Sequence, residues 1–146
     1  MPVSDLADPE GCHLYLWATN NYLPAAFECI KAWGFEYITT ITWMKDKVGL
    51  GQYYRGITEH CLFATTKKRL PYKIDGDKRC QGVTGFYEPK TIHSRKPIQM
   101  REMIEIVSYA PRKSCLLVSR MMTGTAGAMR CNLTQYNVFS SNFDAT

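Results

Sequence analysis

His13-Leu14-Tyr15-Leu16-Trp17-Ala18-Thr19 is a run of large apolar residues with no polar alternation. A strand with one wet face alternates, whereas one covered on both faces stays apolar throughout, so this run reads as a buried strand. Asn20-Asn21 punctuates it. From Leu23 onward, Ala26, Phe27, Ile30 and Trp33 recur at helical spacing, and Gly34 marks the stop. Phe35 to Trp43 is dense in β-branched residues (Ile38, Thr39, Thr40, Ile41, Thr42) and predicts a second strand; Glu59 to Thr66 predicts a third. Lys45 to Gly56 carries three glycines and reads as an exposed loop.

The segment from Lys67 to Pro97 is polar and basic, with a short strand expected near Val83. A loop of that length in a compact domain is usually functional or mobile. Pro97 then opens a helix, with Met100, Met103, Ile104, Ile106 and Val107 on one face, and Ser114 to Ser119 is a fourth strand. Strand, helix, strand, strand, helix, strand is the order of an α/β, Rossmann-like sheet covered by helices. Residues 123–146 show no period and no apolar face, and are expected to be a poorly ordered tail behind a domain spanning 1–122.

The 146 residues suffice for one domain, and 45% hydrophobic with 21% charged residues is a globular balance. No apolar run is long enough to span a bilayer, and Met1-Pro2-Val3-Ser4-Asp5 lacks a basic-then-apolar leader pattern, so an intracellular protein is expected. The six cysteines are scattered without a Cys-x-x-Cys pair, which disfavours a metal site. Cys29, Cys61 and Cys115 lie in apolar runs and read as small core residues with free thiols.

The net charge of +5 is unevenly distributed. Residues 45–96 hold 12 Lys/Arg against 5 Asp/Glu, whereas residues 1–44 hold 1 against 5. Such a patch attracts polyanions through counterion release, and Tyr53, Tyr54, Tyr72, Phe86 and Tyr87 interleaved with it offer rings for unpaired bases. The competing reading is a solvated loop with its aromatics turned inward.

An ordered series of segments carries a more specific signal. Leu14-Tyr15-Leu16-Trp17-Ala18-Thr19-Asn20 is followed by Leu23-Pro24, Ala32-Trp33-Gly34-Phe35, Trp43-x-Lys45 and Gly49-Leu50-Gly51. Glu59-His60-Cys61-Leu62-Phe63-Ala64 and His93-Ser94-Arg95-Lys96-Pro97 complete it. Over residues 1 to about 122 the series resembles the family that methylates the exocyclic amine of adenine in messenger RNA and in bacterial or phage DNA. The resemblance implies an incomplete Rossmann-like methyltransferase sheet, S-adenosylmethionine as cofactor, DNA or RNA as substrate, and a bacterial or phage cytoplasmic setting. It also allows a partner methyltransferase subunit.

In that family chemistry begins at an Asp-Pro-Pro-Trp loop. The adenine amine is a weak nucleophile because its lone pair is delocalised into the ring, so the aspartate and a proline carbonyl grip it while an aromatic ring stacks on the base. This chain contains no Asp-Pro-Pro-Trp; Asp8-Pro9-Glu10 is the nearest string and reads as a turn. The chain is therefore expected to begin downstream of its catalytic strand, to lack catalytic residues and to be inactive alone. It is also expected to leave a sheet edge unpaired where that strand is missing. At the other end, Gly124-Thr125-Ala126-Gly127-Ala128-Met129-Arg130-Cys131 stands where relatives carry a Trp-Gly-Asn-Glu-like segment, a departure that a frameshift would explain.

The resemblance assigns Lys96, Ser94 and Arg120 to the cofactor side: Lys96 toward the cofactor carboxylate or the catalytic aspartate, Arg120 toward ribose hydroxyls. It assigns Asn20, Lys45, Lys47, Arg55 and Arg95 to the substrate side, with Asn20 facing the acceptor pocket. Each basic residue has a simpler reading as a solvated charge or surface ion pair. Glu59 and His60 read as structural, fixing a loop by hydrogen bonds, and Trp17 and Trp33 as core. Two functions follow from the resemblance: a clipped adenine-N6 methyltransferase, or a catalytically silent nucleic-acid-binding or partner subunit. A small structural α/β domain remains if the resemblance is set aside.

Overall fold

The computed structural model describes residues 7–91 and 96–109, together with the backbone of two strands at 115–118 and 136–138. The elements are β1 (His13–Ala18), α1 (Leu23–Ala32), β2 (Phe35–Met44), β3 (Thr58–Thr66), β4 (Ile74–Asp75), β5 (Lys78–Arg79), β6 (Gly85–Tyr87), α2 (Ile98–Val107), β7 (Cys115–Val118) and β8 (Tyr136–Val138). Six strands form one sheet in the order β6-β2-β3-β1-β7-β8, and β4 with β5 makes a separate small hairpin.

β1 is buried at all six positions, as its unbroken apolar run requires. It pairs antiparallel with β3 and parallel with β7, so its backbone is satisfied on both sides. The unpaired edge expected from the sequence therefore does not fall at β1; β7 occupies that side. Tyr136–Val138, inside the segment read as a tail, pairs antiparallel with β7.

The sheet has two covered faces, and the period of two in β1 divides the core between them. Leu14, Leu16 and Ala18 pack with Ala26, Cys29 and Ile30 of α1. Tyr15 and Trp17 point the other way and pack with Met100 and Ile104 of α2. Burying each of those two α2 side chains stabilises the docked helix by about 1.5–3 kcal/mol. Ile106, expected on the buried face, is instead largely exposed, because α2 meets the sheet along the narrow stripe of Met100, Met103 and Ile104. Cys61 is buried as expected. Cys29 is also buried but is disulfide-bonded rather than a free thiol; such pairing depends on proximity in space, which spacing along the chain does not reveal.

α1 starts with Pro24 in its first turn and ends at Trp33, whose N–H donates to Cys29 O at 2.9 Å. Gly34 then takes φ +79°, a left-handed conformation in which a side chain would be strained, and turns the chain into β2. α2 begins after Pro97, and both oxygens of Glu88 cap it, accepting the N–H groups of Ile98 and Gln99 at 3.0 Å each. A carboxylate there satisfies two orphan donors and complements the helix dipole.

One irregularity sets the site. Along β2 the register with β3 shifts between Tyr37 and Thr39, leaving Ile38 as an extra residue. Phe35 and Trp43 are eight apart and would otherwise share a face. With the bulge, Phe35 joins the α1 core and Trp43 the α2 core.

Candidate functional site

The bulge sets Trp43 beside Trp17, ring centroids 6.1 Å apart at 79°, an edge-to-face pair. Trp43 Nε1 donates to Glu88 O at 2.7 Å, tying β2 to the segment that caps α2. Across the ladder from Trp43 stands Glu59, at the start of β3. Its carboxylate is nearly enclosed and takes two cations: Lys45 Nζ at 3.0 Å on Oε2, and Lys96 Nζ on Oε1. Each lysine also lies over a tryptophan, Lys45 4.9 Å from the Trp43 ring centroid and Lys96 4.8 Å from that of Trp17.

Burial is the largest influence on Glu59 and pushes its carboxyl up, but attraction and hydrogen bonding from Lys96, then Lys45, outweigh it and hold it below the usual glutamate value. Among the described residues, two lysines on one carboxylate leave one positive charge over, beside indole faces that water reaches poorly. Trp17 Nε1 is buried with no hydrogen-bond partner among the described residues. Such a donor costs free energy unless something accepts from it. The cluster is chemically suited to an anionic group with further acceptor atoms.

Next to it runs a polar chain. His60 Nδ1 lies 3.0 Å from Thr42 Oγ1, and His60 Nε2 contacts Asn20 Oδ1. Because the amide oxygen only accepts, Nε2 carries the proton and donates, and Nδ1 accepts from the threonine hydroxyl. Burial lowers the His60 pKa, with Glu59 pulling weakly the other way, in keeping with the neutral ring. Asn20, in the 3-10 turn Asn20–Tyr22 after β1, also donates Nδ2 to Thr58 Oγ1 at 3.4 Å. Its amide is thereby oriented from both ends.

Lys45, Lys96 and Asn20, separated by up to 76 positions, thus meet around Glu59 and His60. Lys47 and Arg55 do not reach this cluster. Both are exposed in the loop joining β2 to β3, where Arg55 Nε donates to Gly49 O at 3.0 Å and braces the loop. At its tip Gly51 is required, since a Cβ there would stand 2.0 Å from Tyr54 O. Leu50, Tyr53 and Tyr54 project from it, each more than nine-tenths exposed. Ser94, Arg95 and Arg120 lie outside the described residues. Trp17, read as core, is buried, but its ring also seats Lys96, and Trp43 does the same for Lys45; nothing in the sequence announces that second use. Among the described residues, no three His, Cys, Asp or Glu side chains gather where they could hold a metal ion. No described helix is long and apolar enough to cross a membrane.

The fold matches the crystal structure of the M1.HpyAVI–SAM complex with a TM-score of 0.55, over 75% of this chain and 56% of that one, at 18% identity. The class is an α/β protein with an incomplete Rossmann-like methyltransferase sheet and flanking helices. Residues 1–126 match the MT-A70 family model, and the chain belongs to the MT-A70 family. It is 29% identical over 123 residues to a probable N(6)-adenosine-methyltransferase MT-A70-like protein of Oryza sativa subsp. japonica, covering 78% of this chain and 16% of that protein. It is 28% identical over 108 residues to the N(6)-adenosine-methyltransferase catalytic subunit METTL3 of Homo sapiens, covering 68% of this chain and 18% of the other. The chain thus spans less than a fifth of the length of these relatives.

Proposed function

We propose that the Glu59 cluster is part of the active site of an S-adenosylmethionine-dependent methyltransferase acting on the N6 amine of adenine in DNA or RNA, and that this chain alone transfers no methyl group. The observation that carries the reading is one enclosed carboxylate holding Lys45 and Lys96, each over an indole ring. The names of the rice and human relatives and membership of the MT-A70 family support it.

The cluster fits such a cofactor on two grounds: the uncancelled positive charge, and the unpartnered Trp17 Nε1. Lys96 would hold the carboxylate of S-adenosylmethionine, with Ser94 and Arg120 as further cofactor-side residues. When bound, that cofactor supplies an electrophilic methyl on its sulfonium. Asn20, held by His60, orients its amide toward the acceptor, while Lys45, Lys47, Arg55 and Arg95 attract substrate phosphates. What is missing is the acid–proline–aromatic grip that makes the adenine amine reactive, for no Asp-Pro-Pro-Trp is encoded.

The second reading is a catalytically silent nucleic-acid-binding or partner subunit; an upstream in-frame Asp-Pro-Pro-Trp codon run in the gene favours the clipped enzyme, and its absence there favours the silent subunit. In either case its action belongs inside a bacterial or phage-infected cell.

The test is methyl transfer from labelled S-adenosylmethionine to adenine-containing DNA and RNA by the purified chain, with cofactor binding followed through tryptophan fluorescence. Expected are no turnover and a fluorescence response that Lys96→Ala weakens. Robust turnover would show the catalytic residues to be misassigned, and no response would remove the cofactor from the site.

A further inference from the structure

At the far end of β1 from the Glu59 cluster lies a cavity of about 260 Å³. The register pairs His13 with Thr65 and Tyr15 with Phe63, so these side chains share the α2 face with Trp17, but His13 is about 13 Å further along the strand. Thr65, Phe63 and His13 line the cavity together with Arg69, Tyr72 and Cys80.

Three features of this wall call for a ligand. Thr65 is buried, yet its hydroxyl has no hydrogen-bond partner among the described residues. A folded chain gains stability by replacing such a threonine with valine, so an unmet hydroxyl marks a polar contact made by something else. The ring walls are held in place: Arg79 lies 4.2 Å over the Tyr72 ring, Tyr109 donates to Tyr72 O at 3.0 Å, and Phe63 packs edge-on against His13 at 5.0 Å. His13, bonded through Nδ1 to Ser108 Oγ at 2.8 Å, is kept toward its neutral form by burial.

Charge gives the third. Among the described residues the lining contains two cations, Arg69 and Lys73, and no carboxylate. Their present contacts are exposed and replaceable: Arg69 stands 3.5 Å from Glu36, and Lys73 donates to Glu105 O. Residues 67–79 hold six Lys/Arg against two Asp/Glu. The adjoining groove, which shares Lys73 and Cys80, carries Asp75, Glu102 and Glu105 and repels an anion.

We propose that this cavity binds an unpaired pyrimidine nucleotide of a nucleic-acid strand, its base between the Phe63 and Tyr72 walls and its phosphate on Arg69 and Lys73. A flat heteroaromatic ring meets the aromatic walls and the Thr65 hydroxyl at once, and an attached phosphate meets the two cations. The volume lies below the range of about 300–1,000 Å³ typical of drug-sized sites, which favours a single ring over a purine. The strand as the source of the nucleotide rests on the nucleic-acid reading proposed above; the pocket chemistry does not.

Cys80 is a free thiol on the cavity wall and reports occupancy. Alkylation of the Cys80 peptide is followed by mass spectrometry in the presence of 5′-UMP, a short oligouridylate, or inorganic phosphate. At a concentration about four times the dissociation constant, either uridine ligand slows alkylation about fivefold by mass action, and phosphate alone does not. Thr65→Val, which keeps or raises the melting temperature, and Arg69→Gln each abolish most of the protection, whereas Lys96→Ala in the other site leaves it intact. Protection by neither uridine ligand, by the mononucleotide alone, or equally by phosphate overturns the proposal, as does full protection in Thr65→Val. Loss of protection in Lys96→Ala assigns the nucleotide to the Glu59 cluster and likewise overturns it. Failure of cofactor binding with Cys80 protection intact would defeat only the methyltransferase reading.

Discussion

Glu59 Oε2 accepts Lys45 Nζ at 3.0 Å while Oε1 takes Lys96, so one carboxylate ties the end of β2 to the segment ahead of α2. Among the described residues neither lysine has another acid in reach, and removing the carboxylate charge leaves both crowded together against indole rings. Glu59→Gln is expected to destabilise the fold by about 2 kcal/mol, below the 3–5 kcal/mol of a fully buried pair because the lysines retain some water contact. Urea denaturation at neutral pH measures it, and an unchanged midpoint would mean that the ion pairs contribute nothing.

The same carboxylate makes stability depend on acid. Its folded pKa lies below its unfolded value, so the unfolded chain binds the proton more readily. The contribution is fully present above the unfolded glutamate pKa of about 4.3 and is lost as pH falls through the folded value. His60 and His13 have lowered values too, chiefly from burial, and their neutral forms add stability above about pH 6.5 that declines as pH falls toward their folded values. Unfolding free energy should thus drop in two stages on acidification, and Glu59→Gln should flatten only the lower one. A single step common to wild type and variant would contradict this.

Removing the Glu88 carboxylate exposes the start of α2. Glu88→Ala loses the caps on Ile98 and Gln99, at a cost of about 1–2 kcal/mol. The urea midpoint reads the loss, and Glu88→Gln should recover only part of it because the dipole term needs the charge.

Deleting Ile38 leaves Phe35 and Trp43 seven residues apart, matching the seven steps from Glu59 to Thr66 on β3, so the ladder becomes regular and Trp43 stays on the α2 face. Near-ultraviolet circular dichroism should therefore keep the signal of the coupled Trp17–Trp43 pair. A deletion variant that folds but loses that signal would show that the ladder with β3 does not place Trp43.

Binding to single strands through residues 45–96 should be steeply salt-dependent. If about four phosphates are neutralised, affinity falls roughly 50-fold between 50 and 200 mM salt. Fluorescence anisotropy with a labelled oligonucleotide gives the slope, and a flat one would exclude the basic segment as the contact.

Much of the architecture was legible in the chain itself. The unbroken run Leu14–Ala18 could only be a strand covered on both faces, Pro97 could only stand at a helix start, and the β-branched run after Gly34 favoured strand over helix. Those are local decisions, governed by backbone sterics and by the period of apolar residues. Of the short elements between Lys67 and Tyr87, only β6 had a signal, the strand expected near Val83; the two-residue strands β4 and β5 were not legible, because they are held by their pairing rather than by their own propensity.

The ordered motifs also sufficed to name the family, and they marked Lys45, Lys96 and Asn20. Their meeting was decided only by the tertiary structure. Glu59 looked like a strand-start residue that fixes a loop, and nothing along the chain connects it to Lys96, which lies 37 positions away. The bulge at Ile38 leaves Trp43 and Phe35 on opposite faces, and only the ladder with β3 reveals it. Sequence determines which segments become strands and helices, because that is settled within a few residues. Which side chains share a cluster depends on register, bulges and crossing strands, and that information exists only between segments.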